Sequence, residues 1–452
     1  MLWSIRTPTV RASVTAIVAC AALAVYAGTA QARVTSPQPV SPTGFHVVQN
    51  AVSTGGGRIA VVMLGYHSSR DFSLQARTGS ARGLGPLQRL DTTGEFPQVA
   101  AGADGTVVAA WVAYRQGSTP VLRAAVARPG HNFGHMQELS HARSMALGGV
   151  TVTPRGRAVV VWRGGTSGTS VQAALASSGH AFGTAQTLGT SRQNVPAVSV
   201  APNGTVLVTW LDTPAPPQPP PAPRPAGGPA RVFAATLVEG AVRFGRPSEL
   251  GTMGAGSFGP EAAGGPGGAA VTWRQAATDV RLVALTPQNV FAPPVLLPPY
   301  QHRRDGDADL GDHVALGLPA GGSNVALWRE VRSNGFIPTF AAVKSSSRPS
   351  GGVFSPAKQL SASGWFAGTP QAGALTDRTV AAWGETGPGR PRVRIAVRPV
   401  GRGWTALRPL PAPGIDTNRL RAATSSRDAV ITWIQDVNNQ GAGRLILTTY
   451  QP

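Results

Sequence analysis

In residues 104–111, DGTVVAAW, two turn residues precede an unbroken run of small apolar residues that ends on a tryptophan. The phrase returns as RGRAVVVW (155–162), NGTVLVTW (203–210) and PGGAAVTW (266–273), and fainter copies end on Trp328, Trp383 and Trp433. GGRIAVVM puts Met63 at the same position of an earlier copy, so the steps between copies are 48, 51, 48, 63, 55, 55 and 50 residues. A steady period of this length marks a repeat architecture, in which each unit buries its apolar faces only against its neighbours.

Each unit divides further. Short apolar segments such as FPQVAAGA (96–103), LGGVTVTP (147–154) and VPAVSVAP (195–202) lie upstream and predict a first strand. Asp104-Gly105 and Asn203-Gly204 then join it to the tryptophan strand as tight hairpins. A third strand follows, as in VLRAAVAR (121–128), SVQAALAS (170–177) and RVFAATLV (231–238). The fourth is an aromatic residue, five residues and a leucine, as in FGHMQELS (133–140), FGTAQTLG (182–189), FGRPSELG (244–251) and FSPAKQLS (354–361).

Four short strands per repeat, set around a ring, predict an all-β fold: a β-propeller of eight four-stranded blades, or seven if the first unit is degenerate. Val107 to Ala110 do not alternate with polar residues, as expected of a strand covered on both faces. The last unit stops after its third strand, RLILTTYQ (444–451), whereas VTSPQPVS (34–41) spaces Val34 and Val40 like Phe354 and Leu360. This N-terminal strand is expected to complete the last blade and close the ring. Trp111, Trp162, Trp210, Trp273, Trp328, Trp383 and Trp433 are expected to be packing residues wedged between blades.

The first 32 residues have another character. Arg6 and Arg11 precede an alanine-rich apolar run from Val14 to Gly28, and Ala30-Gln31-Ala32 offers a small-residue cleavage site, so 1–32 reads as a secretory signal peptide. A retained anchor needs a longer apolar run. A lipoprotein box ending at Cys20 would require the apolar stretch to stop there, and it continues. Cys20 is the only cysteine, so a processed chain, residues 33–452, is stabilised by packing and not by disulfides. Those residues are expected to form one propeller domain, monomeric, without a membrane span, secreted or at the cell surface. The proline-rich segment 213–229 interrupts a repeat and reads as a loop.

Charge enlarges the set of partners. Without Arg6 and Arg11 the chain carries 38 basic against 20 acidic residues, a field that attracts anionic polymers of the wall or elsewhere. The arginines do not form runs, and an arginine-rich, lysine-poor composition also follows from a GC-rich genome.

Function is expected where the loops vary. The hairpins between strands 1 and 2 and between strands 3 and 4 share one face and repeat, including His131 and His180 at one turn position, which reads as structural. Connections between strands 2 and 3, and the crossovers to the next blade, share the other face and differ in length. Arg163, Arg274 and Arg329 directly follow tryptophans, and Asp212, Glu330 and Glu385 stand one residue further, so these six are candidate ligand-binding residues ringing that face. Asp305, Asp307 and Asp309 have the alternation of a calcium loop, but Leu310 stands at the required glycine and Leu316 at the closing glutamate. Calcium is therefore the one cofactor the residues suggest, against a simple solvated acidic loop. HExxH, CxxC and GxSxG motifs are absent from the sequence.

The tryptophan-ended strand and the FGxxQxLS-type segment resemble those of secreted bacterial β-propeller repeat proteins over most of the mature length, and more distantly the sialidase-like propellers. That distant resemblance implies a glycoside hydrolase with three arginines on a carboxylate, a Tyr–Glu nucleophile pair and an acidic Asp. Arg163, Arg274 and Arg329 would supply the clamp. The SxDxGxTW signature is missing, and only Tyr66, Tyr114 and Tyr300 stand at loop-like positions. The expected function is an exported, non-catalytic scaffold that binds a ligand, protein or wall partner through the variable-loop face. The alternatives are a sialidase-like hydrolase and an electrostatic binder of anionic polymers.

Overall fold

The computed structural model describes residues 33–452 apart from 69–70, 115–118, 193, 213–228, 254–258, 276–278, 299–312, 322, 335–336, 416–418 and 436–442. The expected signal peptide, most of the proline-rich loop and the aspartates at 305, 307 and 309 lie outside the described residues.

Eight antiparallel sheets follow one another along the chain, each with four strand positions; in three of them one or two positions are split into two short segments. Blade 2 shows the plan: Gly94–Ala101, Val107–Ala113, Val121–Ala127 and Gln137–His141 pair in that order. The first strands of consecutive blades neighbour one another all the way round, blade 8 meeting blade 1. Eight units are therefore present, and the first is not degenerate.

The second strand explains the missing alternation. Val107, Ala109, Trp111 and Ala113 pack into a cluster with blade 1, whereas Val108, Ala110 and Val112 pack into a cluster with blade 3. Every residue of this strand is buried because one blade lies on each side of it. Eight such clusters occupy the eight blade interfaces, and each tryptophan faces the preceding blade. Met63 takes the tryptophan's place in blade 1 and packs against blade 8.

The fourth-strand motif makes room for this wedge and fastens it. A Cβ on Gly189, at the end of FGTAQTLG, would lie 2.8 Å from the Trp210 ring, so the indole occupies the space a side chain would take. In blade 1 Asp91 stands at this position instead and accepts a hydrogen bond from Trp111 Nε1 at 2.6 Å. The glutamine of the motif reaches the next blade. Gln88, Gln137 and Gln186 each donate to and accept from the backbone of Phe133, Phe182 and Phe244, at 2.7 to 3.2 Å. These amide clasps link blades 1 to 4 in series. Ser248, Val295, Lys358 and Arg408 replace the glutamine in blades 4 to 7 and lack a primary amide.

Closure follows the expected route. Arg33–Val34 and Gln38–Pro39 pair with Arg444–Gln451 as the outermost strand of blade 8, with Val34 opposite Tyr450 and Gln38 opposite Leu447. Thr35 N donates to Thr449 O at 2.9 Å, Val40 N donates to Leu445 O at 2.8 Å, and Val40 enters the cluster between blades 8 and 1. The segment 33–39 and the C-terminal strand thus share one sheet, which supplies partners for an edge that would otherwise be open.

Candidate functional site

First strands run from the crossover face to the hairpin face and pack against those of the neighbouring blades. Near the hairpin end a Cβ on Gly264 would lie 2.1 Å from the Val200 carbonyl oxygen of the neighbouring blade. Thr54 Oγ1 there donates to Asp428 Oδ1 at 3.0 Å, tying blade 1 to blade 8. At the crossover end blades 3 and 4 are equally close, where a Cβ on Gly148 would lie 2.3 Å from the Pro196 carbonyl oxygen, whereas between blades 8, 1 and 2 polar and aromatic side chains take over.

A cavity of about 560 Å³ opens there between blades 8, 1 and 2, lined among others by Gln49, Phe96, Gln98, Arg419 and Arg421. Phe96 is 53 % exposed and has φ of 52°. A bulky residue in the left-handed region is a backbone outlier, and Phe96 also precedes a proline, which favours extended backbone. The strand is irregular at this point, its register shifting between Glu95 and Gln98. Irregularities of this kind re-aim a side chain beside a site. Phe96 N donates to Gln49 Oε1 at 2.8 Å, and Pro97 is buried behind it.

The opposite flank is fixed as well. Asn50 Nδ2 donates to the Arg419 carbonyl at 3.2 Å and Asn50 Oδ1 accepts from Thr432 Oγ1 at 3.0 Å, which locks blade 1 against the start of blade 8. Arg421 is exposed and donates one Nη1 hydrogen bond to Leu420 O at 2.9 Å. Around the same end of the ring, His313 Nδ1 lies 2.6 Å from Glu261 Oε1, and Val314 N donates to Glu261 Oε2. Desolvation is the largest influence on His313 and lowers its pKa. The Glu261 charge and hydrogen bond together outweigh it, Arg421 opposes them, and the net shift is upward. His313 nonetheless keeps 40 % side-chain exposure, as a group on the wall of an opening does.

The six residues selected by their position after the tryptophans occupy the second strands of blades 3 to 7, and none of them lines this cavity. Arg163 donates to Arg192 O at 2.8 Å. Asp212 accepts from Thr190 Oγ1 at 3.1 Å and Arg231 at 3.4 Å, and Glu330 lies 3.7 Å from Lys344. Arg274 and Arg329 are half-buried and engaged by neighbouring groups. Glu385 has no exposed surface: it accepts from Trp383 Nε1 at 2.9 Å, from Arg392 Nε at 2.8 Å and from Ala362 N at 3.2 Å. A second strand stands behind the first, so its side chains meet the neighbouring blade before they meet the opening. Tyr66 stacks on His46 and meets Phe72 at a tilt of 50°, while Tyr300 lies outside the described residues.

A second cavity, of about 500 Å³, lies on the hairpin face between blades 2 and 3 and includes Arg128, His131, His135 and His180. Its polar groups hold the turns together. Arg128 donates twice to Gly179 O, at 3.1 and 2.9 Å, and His131 N donates to Arg128 O and His180 N to Ser177 O. Among the described residues no group of three or more His, Cys, Asp or Glu is arranged to hold a metal ion. Among the same residues no helix is long and apolar enough to cross a membrane.

Solved structures similar to the chain are known. The chain is similar to the polysaccharide lyase Uly1, with a TM-score of 0.49, 7 % identity, and coverage of 78 % of this chain and 89 % of that one. It is similar to the lectin BP39L from Burkholderia pseudomallei, with a TM-score of 0.47, 12 % identity and coverage of 81 % and 99 %. The β-propeller domain of the Trilobed protease from Pyrococcus furiosus matches with a TM-score of 0.45, 8 % identity and coverage of 81 % and 98 %. The chain is a β-propeller. No family model matches the sequence, and no curated protein matches it. A likeness of this degree assigns no activity to the chain.

Proposed function

We propose that this propeller is an exported, non-catalytic binding protein that captures its ligand at the channel mouth on the crossover face. The observation that carries the reading is Phe96: an exposed aromatic side chain, held in a strained backbone conformation, on the wall of a cavity of ligand size. Export rests on the basic and apolar character of residues 1–32. The scaffold serves binding because clasps and interlocked cores keep the blades in register, so the mouth needs little ordering when a ligand arrives.

The test is an oligosaccharide and wall-polymer array probed with three forms of the protein. Arg419→Gln with Arg421→Gln is expected to abolish capture, and Arg128→Gln with His180→Gln on the hairpin face to leave it intact. The opposite pattern would place recognition on the hairpin face. Glu261 and His313 are the one hydrogen-bonded acid–imidazole pair near the mouth among the described residues, and favour a hydrolytic reading as the second choice. Release of new reducing ends from any captured oligosaccharide, lost in Glu261→Gln, would establish that reading instead.

A further inference from the structure

The chemistry of the mouth is more selective than binding alone requires, and it divides into three parts. Phe96 offers an apolar ring face that a sugar's C–H face covers. Gln49 and Gln98 flank it with primary amides, and an amide supplies both a donor and an acceptor, the combination that hydroxyl groups need. Because Gln49 Oε1 already accepts from Phe96 N, the amide is oriented by the same bond that fixes the aromatic ring. Arg419 and Arg421 add two guanidinium groups to the same cavity.

Among the described residues, the charged side chains lining this cavity are Arg419 and Arg421. Glu261, the carboxylate on the far side of the opening, is taken up by His313 and the Val314 amide. The positive field of Arg421 reaches across to His313 and opposes its protonation. Two guanidinium groups on one cavity wall match carboxylate and sulfate oxygens in pairs.

We propose that the channel mouth takes an acidic sugar, a glycan residue carrying a carboxylate or a sulfate, with its ring on Phe96 and its anionic group at Arg419 and Arg421. This specifies the ligand class of the binding site argued above and rests on that reading. Phe96 makes it separable from a structural role. Glycine adopts φ near 50° without strain, so Phe96→Gly removes the stacking surface while relieving the backbone.

Isothermal titration of the full chain with three galactose-based oligosaccharides tests the proposal: oligogalacturonate for carboxylate, carrageenan oligosaccharide for sulfate, and neutral galactan. At least one charged probe is expected to bind about tenfold or more tighter than galactan. That affinity should fall by about tenfold or more in Phe96→Gly and in Arg419→Gln with Arg421→Gln, with the melting temperature of Phe96→Gly not lowered. Equal affinity for charged and neutral probes, still lost in Phe96→Gly, would overturn the acidic class and leave the site standing. Charged binding that Phe96→Gly does not weaken would overturn the site as well, because the protein would then be reading charge alone. Absence of measurable heat with all three probes at millimolar concentration would also overturn the proposal.

Discussion

The two ends of the ring are built from the same eight blades and differ in what repeats. On the hairpin face the same devices recur from blade to blade: Asp104 accepts from Thr106 and Ser178, Asn289 from Thr205 and Asn203, and the three glutamine clasps lie just beneath. Exposed apolar residues there include Met136, Val242, Val290 and Val353. On the crossover face the carboxylate two residues after the tryptophan pairs with a third-strand cation in blades 4, 6 and 7, but the side chains lining the cavity belong to no such series. The exposed aromatic residues among the described ones, Phe72, Phe96, Tyr114 and Phe366, all stand at that end, each in a different setting. Repetition is what an interlocking wall needs, since every joint meets the same geometry. Recognition needs unlike groups converging on one opening, and the cavity between blades 8, 1 and 2 gathers an aromatic ring, primary amides and guanidinium groups.

Attacking the joints should produce the largest effects. Trp210→Ala leaves a void at the joint of blades 3 and 4 and is expected to cost about 3–5 kcal/mol, read as a lowered denaturation midpoint. Arg123, 2 % exposed, bridges Asp91 of blade 1 and Glu138 of its own blade at 2.9 and 2.8 Å. Arg123→Met strands a buried carboxylate and should cost about 3 kcal/mol or more at neutral pH. Burial is the largest influence on Asp91 and raises its pKa, but hydrogen bonds from Trp111 and Arg123 reverse this and leave it lowered. The wild-type contribution is thus present above the unfolded carboxylate value and is lost as pH falls through the lower folded one, so acid should narrow the gap between wild type and variant.

Smaller changes sharpen the contrast. Gln137→Ala removes both arms of one clasp, and roughly 1–2 kcal/mol is expected from chemical denaturation, with no change in ligand capture. Phe96→Gly is the reverse case: stability unchanged or raised and capture lost, because relief of left-handed strain, about 1–2 kcal/mol, offsets the added freedom of glycine in the unfolded chain. The smallest effect concerns His313. Its folded pKa is raised, so its contribution is complete below the ordinary imidazole value and disappears as pH rises through the folded value. Thermal melts from pH 6 upward should show this decline in wild type and a flatter profile in His313→Gln.

What the sequence disclosed follows the same division. The tryptophan strands, the fourth-strand motif and the spacing of Val34 and Val40 are repeated features, and repetition was enough to predict a propeller of eight blades, or seven, and its closing strand. The function of the motif's glutamine was less open to reading, because its partner is a backbone in the next blade some 45 residues away. The mouth was hidden for a different reason. Gln49, Phe96 and Arg421 occur once each, in three blades, and nothing local in FPQVAAGA announces that Phe96 lies in the left-handed region. Glu385 looked like a surface charge because it follows a tryptophan by two residues, yet that tryptophan's own Nε1 binds it inside the wall. The contrast with Pro97, whose side chain is buried, shows that exposure along the first strand is set by the ring and not by residue type alone.

Recognition at the crossover end, with the hairpin end as structural wall, is most directly tested by hydrogen-exchange mass spectrometry of the intact protein with and without saturating oligogalacturonate. Slowed exchange confined to residues 46–52, 94–99 and 419–424 is the predicted result. Slowed exchange at 128–135 and 177–183, with the channel mouth unchanged, would contradict it.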